Sequence, residues 1–499
     1  MEKMTEHLAQ ERSQEWRETL RKSMKAKDRT SLERVAMPEA DPAERAKNHL
    51  EVNQGLSEQI AVEEARRCLD CADPTCIPGC PVSINIPKFI KYIENQDFSA
   101  AARSLKETNA LPAVCGRVCP QEIQCEASCI YTLKLKKPPV AIGHLERFAA
   151  DWERNSGQMF IPEVAPANGI KVAVVGSGPS SLAVAGDLAR LGYAVTVFEA
   201  LHELGGVLKY GIPEFRLPNE IVDVEIDNLK KMGVEFVTNF VVGKTATIEE
   251  LKKEGYQAFY AGSGAGLPNF MNIPGENANG IMSANEYLTR VNLMNAARDE
   301  YDTPVLSGKH VAVIGGGNTA MDSVRTAKRL GAERAMIIYR RTLEEMPARD
   351  EEIKHAQEEG IEFLNLNSPL EYFADKNGRV NRIKLQEMEL GEADASGRKR
   401  PVPIEGSEYE LEADLVIVSV GVSPNPLIPQ SMPALKVSRW ETIVVDEKEM
   451  QSSVAELFAG GDIVRGGATV ILAMGDGRNA AAGIDRYLQK IEALQKQGN

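Results

Sequence analysis

The stretch Lys171-Val172-Ala173-Val174-Val175-Gly176-Ser177-Gly178-Pro179-Ser180-Ser181 decides the fold. Its apolar, β-branched run reads as a short buried strand, and the residues after it predict a helix from Leu182 to Leu191. The chain returns as a second strand, Val195–Phe198, that ends at Glu199. Gly176 permits a tight turn and Gly178 lets the backbone approach a pyrophosphate. The helix N-terminus supplies free amides and the positive end of a dipole. Glu199 stands 21 residues after Gly178, where a carboxylate can accept from ribose hydroxyls. Ser181 replaces the third glycine of this pattern, a small departure that helix–strand packing should tolerate. Strand, turn, helix, strand and terminal glutamate together carry far more weight than the glycines alone.

Two further segments point to FAD. Gly205-Gly206, soon after Glu199, suits a second close backbone approach to the nucleotide. Near the C-terminus come Leu457-Phe458-Ala459-Gly460-Gly461-Asp462 and Gly466-Gly467-Ala468-Thr469, with a helix predicted from Val470. A strand ending at Gly461-Asp462 can aim a carboxylate at the ribityl chain, and a helix starting near Thr469 can point its N-terminus at the pyrimidine side of the ring. The combination resembles the flavoproteins with two dinucleotide-binding domains, in which that aspartate contacts FAD.

A second glycine pattern lies between these FAD segments. The strand Lys309–Ile314 leads into Gly315-Gly316-Gly317-Asn318-Thr319-Ala320, a helix to Leu330, and a strand Ala335–Tyr339 ending in Arg340-Arg341. Arg340 falls 23 residues after Gly317, about where an NAD site would place a carboxylate. Arginine there can hold a 2′-phosphate, which favours NADP(H). Arg325 and Lys328 on the helix read as ordinary surface charge. The order of the motifs predicts a split FAD domain, 168–303 and 441–499, with an NADPH domain inserted over 304–440.

All eight cysteines precede this part: Cys68, Cys71, Cys76, Cys80, Cys115, Cys119, Cys125 and Cys129. No cysteine follows, which excludes a disulfide relay in the α/β region. The spacings C-x2-C-x4-C-x3-C and C-x3-C-x5-C-x3-C suit zinc less well than paired C-x2-C does, and the Cys80-Pro81 and Cys119-Pro120 pairs match the C-P ending of ferredoxin-type motifs. Two [4Fe–4S] clusters are the favoured reading, with structural zinc or disulfides as the alternatives. Residues 36–160 read as a helical domain, with helices predicted at Ser57–Cys68 and Ile86–Leu105. Residues 1–35 read as a solvated N-terminal helix or a partly disordered arm, and Ile161–Pro166 as a linker.

Bulk properties bound the rest. The net charge of −14 argues against nucleic acid or an anionic membrane as the main partner. No apolar run is long enough to span a bilayer and no secretory signal is visible, so the cytoplasm is expected. No hydrolytic Ser/His/Asp or Cys/His arrangement stands out.

The segments Cys68-Leu69-Asp70-Cys71, Pro78-Gly79-Cys80-Pro81-Val82, Gly116-Arg117-Val118-Cys119-Pro120 and Tyr210–Pro218 resemble the small (beta) subunit of NADPH-dependent glutamate synthase. The resemblance runs from about Arg34 to Ala482. It implies an α/β fold: an all-α iron–sulfur domain followed by two Rossmann-like domains, carrying FAD, NADP(H) and two [4Fe–4S] clusters. It also implies interleaved ligands: Cys68, Cys71, Cys76 and Cys129 for one cluster, and Cys80, Cys119, Cys125 and Glu146 for the other, with Arg216 near the cofactors. Chemistry alone would choose Cys115 over Glu146, since thiolate is the softer ligand. The resemblance further implies a partner subunit, a glutamate synthase large subunit. The alternative is a small flavin and iron–sulfur subunit, because the family pattern includes the NADP(H)-side large subunit of bifurcating ferredoxin:NADP oxidoreductase and sulfide dehydrogenase. The segment Ser283–Asn292 looks closest to the stand-alone and bifurcating branch. No glutaminase or FMN site is visible, so the chain alone is not expected to use glutamine.

Overall fold

The computed structural model describes residues 2–393 and 397–498; Met1, Asp394–Ser396 and Asn499 lie outside it. The Gly176 stretch folds as its pattern dictates. Lys171–Val175 is a buried strand, Gly178 caps a helix over Pro179–Arg190, and Ala194–Phe198 pairs parallel to the first strand. The sheet is completed in the order Leu457–Ala459, Tyr256–Ala261, Lys171–Val175, Ala194–Phe198, Glu235–Val237, all parallel. Its outermost strand, Leu457–Ala459, comes from the far end of the chain, so the first unit is split.

A second parallel sheet runs Ile281–Ser283, Leu415–Val418, His310–Ile314, Arg334–Tyr339, Glu362–Asn365. Ile281–Ser283 was expected in the first unit, which was placed to end at 303, yet it pairs with Leu415–Val418. The return also comes earlier than 440: Leu427–Ser431 supplies Ile428 to the core under the first sheet, beside Leu435 and Ile443. Both crossings run side by side, because Val422–Ser423 pairs antiparallel with Leu267–Pro268. The inserted unit also carries an antiparallel sheet of Asn367–Ala374, Val380–Ala393, Lys399–Pro403 and Tyr409–Glu412, which the sequence reading did not anticipate.

The cysteine region is helical. Ser57 caps Glu58–Ala65 by accepting from the Ile60 amide, and the expected Ile86–Leu105 helix is two, Ile86–Glu94 and Phe98–Lys106. The helices Pro112–Val118 and Ile142–Ser156 cross in backbone contact at Gly116, where a Cβ would meet the Arg147 nitrogen at 2.5 Å. This domain does not stand apart. One continuous core joins its Phe89, Leu111 and Leu145 to Leu182, Val222 and Met474 of the first α/β unit, the expected flavin unit.

Two charge readings are corrected. The N-terminal segment is helical, one of the two expected alternatives, but it is not solvated: Glu2–Arg12, Glu15–Ser23 and Ala26–Arg29 are helices, with Arg17 and Arg29 buried and Trp16 stacked on Tyr92. Arg325 is fully buried rather than a surface charge, while Lys328 is half-buried. Arg325 pairs with Glu352 and with Glu359 at 2.7 Å, and Arg329 and Arg45 also reach Glu359, at 2.7 and 3.2 Å. Arg216 of the flavin unit joins the same network through Asp322 at 2.8 Å and Glu352 at 3.0 Å. Beneath it the Phe215 ring lies 3.9 Å from the Arg329 guanidinium carbon and 4.7 Å from that of Arg325. The helical domain, flavin unit and inserted unit therefore meet at one buried ion network.

Burial alone would raise the Glu359 carboxyl, but the arginines outweigh it and hold it down at about 2, against an ordinary 4.5. A lowered carboxylate stabilises the fold above the unfolded value and ceases to do so as pH falls through the folded one. Glu359→Gln should therefore cost about 3–5 kcal/mol near neutrality. Its deficit relative to the native chain should shrink as pH falls from 4.5 toward 2, as measured by denaturant unfolding; a pH-independent deficit would contradict the pairing.

Candidate functional site

The two glycine turns open onto one cavity of about 1560 Å³ between the units. That exceeds the roughly 300–1,000 Å³ of a pocket for one small ligand and gives room for two dinucleotides. Gly176, Gly178, Glu199, Gly206, Arg216, Asp462 and Thr469 line it from the flavin side. Gly315, Gly317, Asn318, Thr319, Arg340 and Arg341 line it from the inserted unit. Ser181 and Gly461 do not. Ser181 is fully buried against Gly262, where a Cβ would come 2.1 Å from its Oγ, so the bulk added at 181 is accommodated by a glycine opposite. Gly461, at φ 75°, turns the chain from the last strand and faces Ser180.

The flavin-side turn is built to receive a large group. Gly206 sits at φ 55° and ψ −132°, a region reserved for glycine, and a Cβ there would lie 3.0 Å from the Gly178 Cα. Glu199 is held on three donors: the Ser177 amide at 2.8 Å and hydroxyl at 2.5 Å, and the Leu201 amide at 2.8 Å. Ser177, which the sequence reading passed over, thus ties the turn to the acidic residue. Asp462 accepts from the Ala468 amide at 3.1 Å, and burial pushes its carboxyl up to about 6. The glycine at 206 and the glycine-capped helix suit a dinucleotide pyrophosphate.

On the other side, Arg340 is exposed at the cavity and Arg341 is buried, with its Nε donating to the Lys399 carbonyl at 2.7 Å. Arg398, brought in by the antiparallel sheet, is a further lining cation that no local pattern signalled. Arg216 lines the cavity but its guanidinium is engaged by Asp322 and Glu352. Asn318 Oδ1 accepts from the Arg349 amide at 2.9 Å, and Arg349 reaches the Arg117 carbonyl at 3.0 Å and Gln121 Oε1 at 2.9 Å. The second glycine turn is thereby tied to the residues flanking Cys119.

None of the eight cysteines is paired in a disulfide. Cys68, Cys71, Cys76 and Cys129 surround one small cavity closed by Ile86, Ile90, Tyr131 and Val140. Cys80, Cys119 and Cys125 gather around the buried Glu146, whose charge bears on all three. Cys76 lies close enough to bear on Cys125, so the two groups adjoin. Burial pushes the Cys68 and Cys80 thiols up to about 12 and the Glu146 carboxyl up to about 8. Such groups ionise there only against a strong cation, which suits metal rather than solvent. Asn109 donates to Glu146 Oε1 at 2.7 Å, and its own oxygen lies 3.7 Å from Cys115 Sγ, so both candidates for the eighth ligand rest on one side chain. Cys115 also touches Met474 at 3.6 Å, in the helix Val470–Gly498. Val118 and Pro120, either side of Cys119, line the large cavity itself.

Two known protein families match this architecture. Residues 45–158 match the family described as dihydropyrimidine dehydrogenase domain II, 4Fe-4S cluster. Residues 170–477 match pyridine nucleotide-disulphide oxidoreductase. The Mycobacterium tuberculosis oxidoreductase FprA, solved in complex with NADPH, superposes with a TM-score of 0.54 at 22% identity, over 66% of this chain and 86% of that one, and shows the shared fold. Fold and families define the class: an NADPH-dependent FAD oxidoreductase with a [4Fe–4S] domain. The small chain of glutamate synthase [NADPH] from Azospirillum brasilense is 38% identical over 92% of this chain and 95% of its own length. The Escherichia coli one is 37% identical over 92% and 98%. The chain belongs to the glutamate synthase small-chain family. The NADPH-Fe(3+) oxidoreductase subunit beta of Geobacter sulfurreducens is also similar, 35% identical over 86% of this chain and 65% of that one. Relatives are thus named as small or beta subunits of larger enzymes, which implies a partner subunit here. Among the described residues, no helix is long and apolar enough to cross a membrane.

Gly206→Ala should leave the helical domain intact but lower FAD content several-fold, since the methyl group fills the turn and φ 55° strains it. Flavin absorbance per chain in the purified protein checks this; full occupancy would contradict the assignment.

Proposed function

We propose that this chain oxidises NADPH in the large cavity and passes the electrons through its cysteine domain to a glutamate synthase large subunit. The observation that carries the reading is that Val118 and Pro120, which flank Cys119, line the same cavity as both glycine turns. When bound, FAD takes the electrons of NADPH as a pair and releases them singly, and [4Fe–4S] clusters carry them one at a time.

The residues divide this work. Gly315, Gly317, Asn318 and Thr319 hold the NADPH pyrophosphate on the N-terminus of the helix Asn318–Arg329, and Arg340 and Arg341 face its 2′-phosphate. Gly176, Gly178 and Gly206 receive the FAD pyrophosphate, and Glu199 its ribose. Asp462 and Thr469 flank the ribityl and ring end, with Ser181, Arg216 and Gly461 shaping the site from behind. Cys80, Cys119, Cys125 and Glu146 bind the cluster nearer the cavity, and Cys68, Cys71, Cys76 and Cys129 the farther one. The domains divide as arm, helical cluster domain, split FAD domain and inserted NADPH domain. The match over almost the whole length of the glutamate synthase small chains favours that enzyme's large subunit as partner. Co-purification from the source cell tests it: a large FMN- and glutaminase-bearing polypeptide supports the proposal, and a small flavin and [2Fe–2S] subunit overturns it in favour of the bifurcating type.

Arg340→Glu should reduce the preference for NADPH over NADH by roughly tenfold to a hundredfold, the worth of one charge-assisted contact. Steady-state kinetics with an artificial acceptor reads this, and an unchanged preference refutes the 2′-phosphate assignment. Cys119→Ser and Cys71→Ser should each remove a different [4Fe–4S] signal in electron paramagnetic resonance. Flavin reduction by NADPH should survive in both. Loss of the same signal in the two variants would refute the ligand grouping.

A further inference from the structure

Three arginines of the N-terminal helices converge on one residue between two cysteines. Asp70 is fully buried and adopts φ 50°, uncommon outside glycine. Its carboxylate accepts from Arg17 at 2.6 and 3.2 Å and from Arg21 at 2.6 Å, and its carbonyl accepts from Arg12 Nε at 2.8 Å. On the other side of the loop, buried Lys91 donates to the Cys68 carbonyl at 2.6 Å and pairs with Glu94, which Arg29 of the third N-terminal helix also binds, at 2.8 Å. Around the Cys68–Cys71 loop, Arg12, Arg17, Arg21, Arg29 and Lys91 therefore face Asp70 and Glu94. Local charge is strongly positive in a chain of net charge −14.

The Asp70 carboxylate is already paired by buried Arg17 through two contacts, and half-buried Arg21 and Arg12 bring further positive charge to the same loop. The helices are also held independently: Trp16 stacks on Tyr92 at 4.5 Å, and Glu11 binds Lys88 at 2.5 Å and Asn85 at 2.6 Å. A [4Fe–4S] cluster becomes more negative by one charge on reduction, so nearby cations favour its reduced form, the more so in a buried setting.

We propose that the N-terminal helices form a cationic cap that raises the reduction potential of the cluster held by Cys68, Cys71, Cys76 and Cys129. The proposal rests on the ligand grouping given above. It makes the capped cluster a better electron acceptor than it would be without the cap, and so favours electron flow onto it. The helices lie ahead of residue 45, where the match to the iron–sulfur family begins.

A redox titration of the full-length holoprotein followed by electron paramagnetic resonance tests this. Cys71→Ser first identifies the signal of the capped cluster; if no signal is lost, the ligand grouping falls and the proposal with it. In the double variant Arg17→Gln/Arg21→Gln, the reduced-to-oxidised ratio of that signal at fixed potential should drop about tenfold, equivalent to about 59 mV for a one-electron couple. The other cluster should be unmoved, and Arg17→Lys/Arg21→Lys should restore the ratio. An unchanged ratio in the glutamine pair, or an equal drop in the lysine pair, overturns the proposal. Should the glutamine pair fail to hold its cluster, Arg12→Gln, which touches only a backbone oxygen, is read in its place. It should move the ratio in the same direction by a smaller factor, and no movement overturns the proposal.

Discussion

The buried carboxylate of Glu359 holds this molecule in register. It accepts from Arg45 of the helical domain and from Arg325 and Arg329 of the inserted unit, and through Arg325 and Glu352 the network reaches Arg216 of the flavin unit. Charges taken from water must find partners, and here the partners lie in different units. The units are therefore not free to choose their relative position by apolar packing alone. Arg349 extends the constraint toward the glycine turn at Asn318 and the end of the helix before Cys119. The placement of the second glycine turn against the cysteine domain follows from this set of ion pairs.

The continuous core does the complementary job on the flavin side. The helix starting at Val470 approaches so closely that a Cβ at Gly475 would lie 3.1 Å from the Pro81 carbonyl, and Met474 touches Cys115. Electron transfer depends steeply on separation, and a shared core fixes separation more firmly than a docked interface between independently folding domains. The helical domain is thus packed as part of the flavin unit although its sequence texture is entirely different.

What was legible in the sequence was local. Gly176, Gly178, Glu199, Gly315, Gly317 and Arg340 fall at spacings set by one strand, one turn and one helix, so a single stretch carries the whole argument, and all six line the cavity. The strands at Val172, Val195, Val311, Met336 and Leu415 announced themselves by apolar, β-branched runs. What stayed hidden depends on partners far away in the chain. Arg325 on a helix looks like any surface arginine until Glu359 and Phe215 close over it. The N-terminal helices look solvated because their anchor, Asp70, is about fifty residues on. The antiparallel sheet of the inserted unit has alternating strands rich in charge, which weakens the apolar signal. Glu146 and Cys115 both rest on Asn109, a residue with no motif of its own.

The paired crossings at Leu267–Pro268 and Val422–Ser423 have a meaning beyond topology. The inserted unit enters and leaves the flavin unit at a single point, on two adjacent strands. Neither parallel sheet is interrupted by its presence. Such a unit is a cassette in its connectivity: it carries an added antiparallel sheet of its own while the two-strand junction with the rest of the chain stays the same. Its ion pairs with the other two units are what a new cassette would have to rebuild.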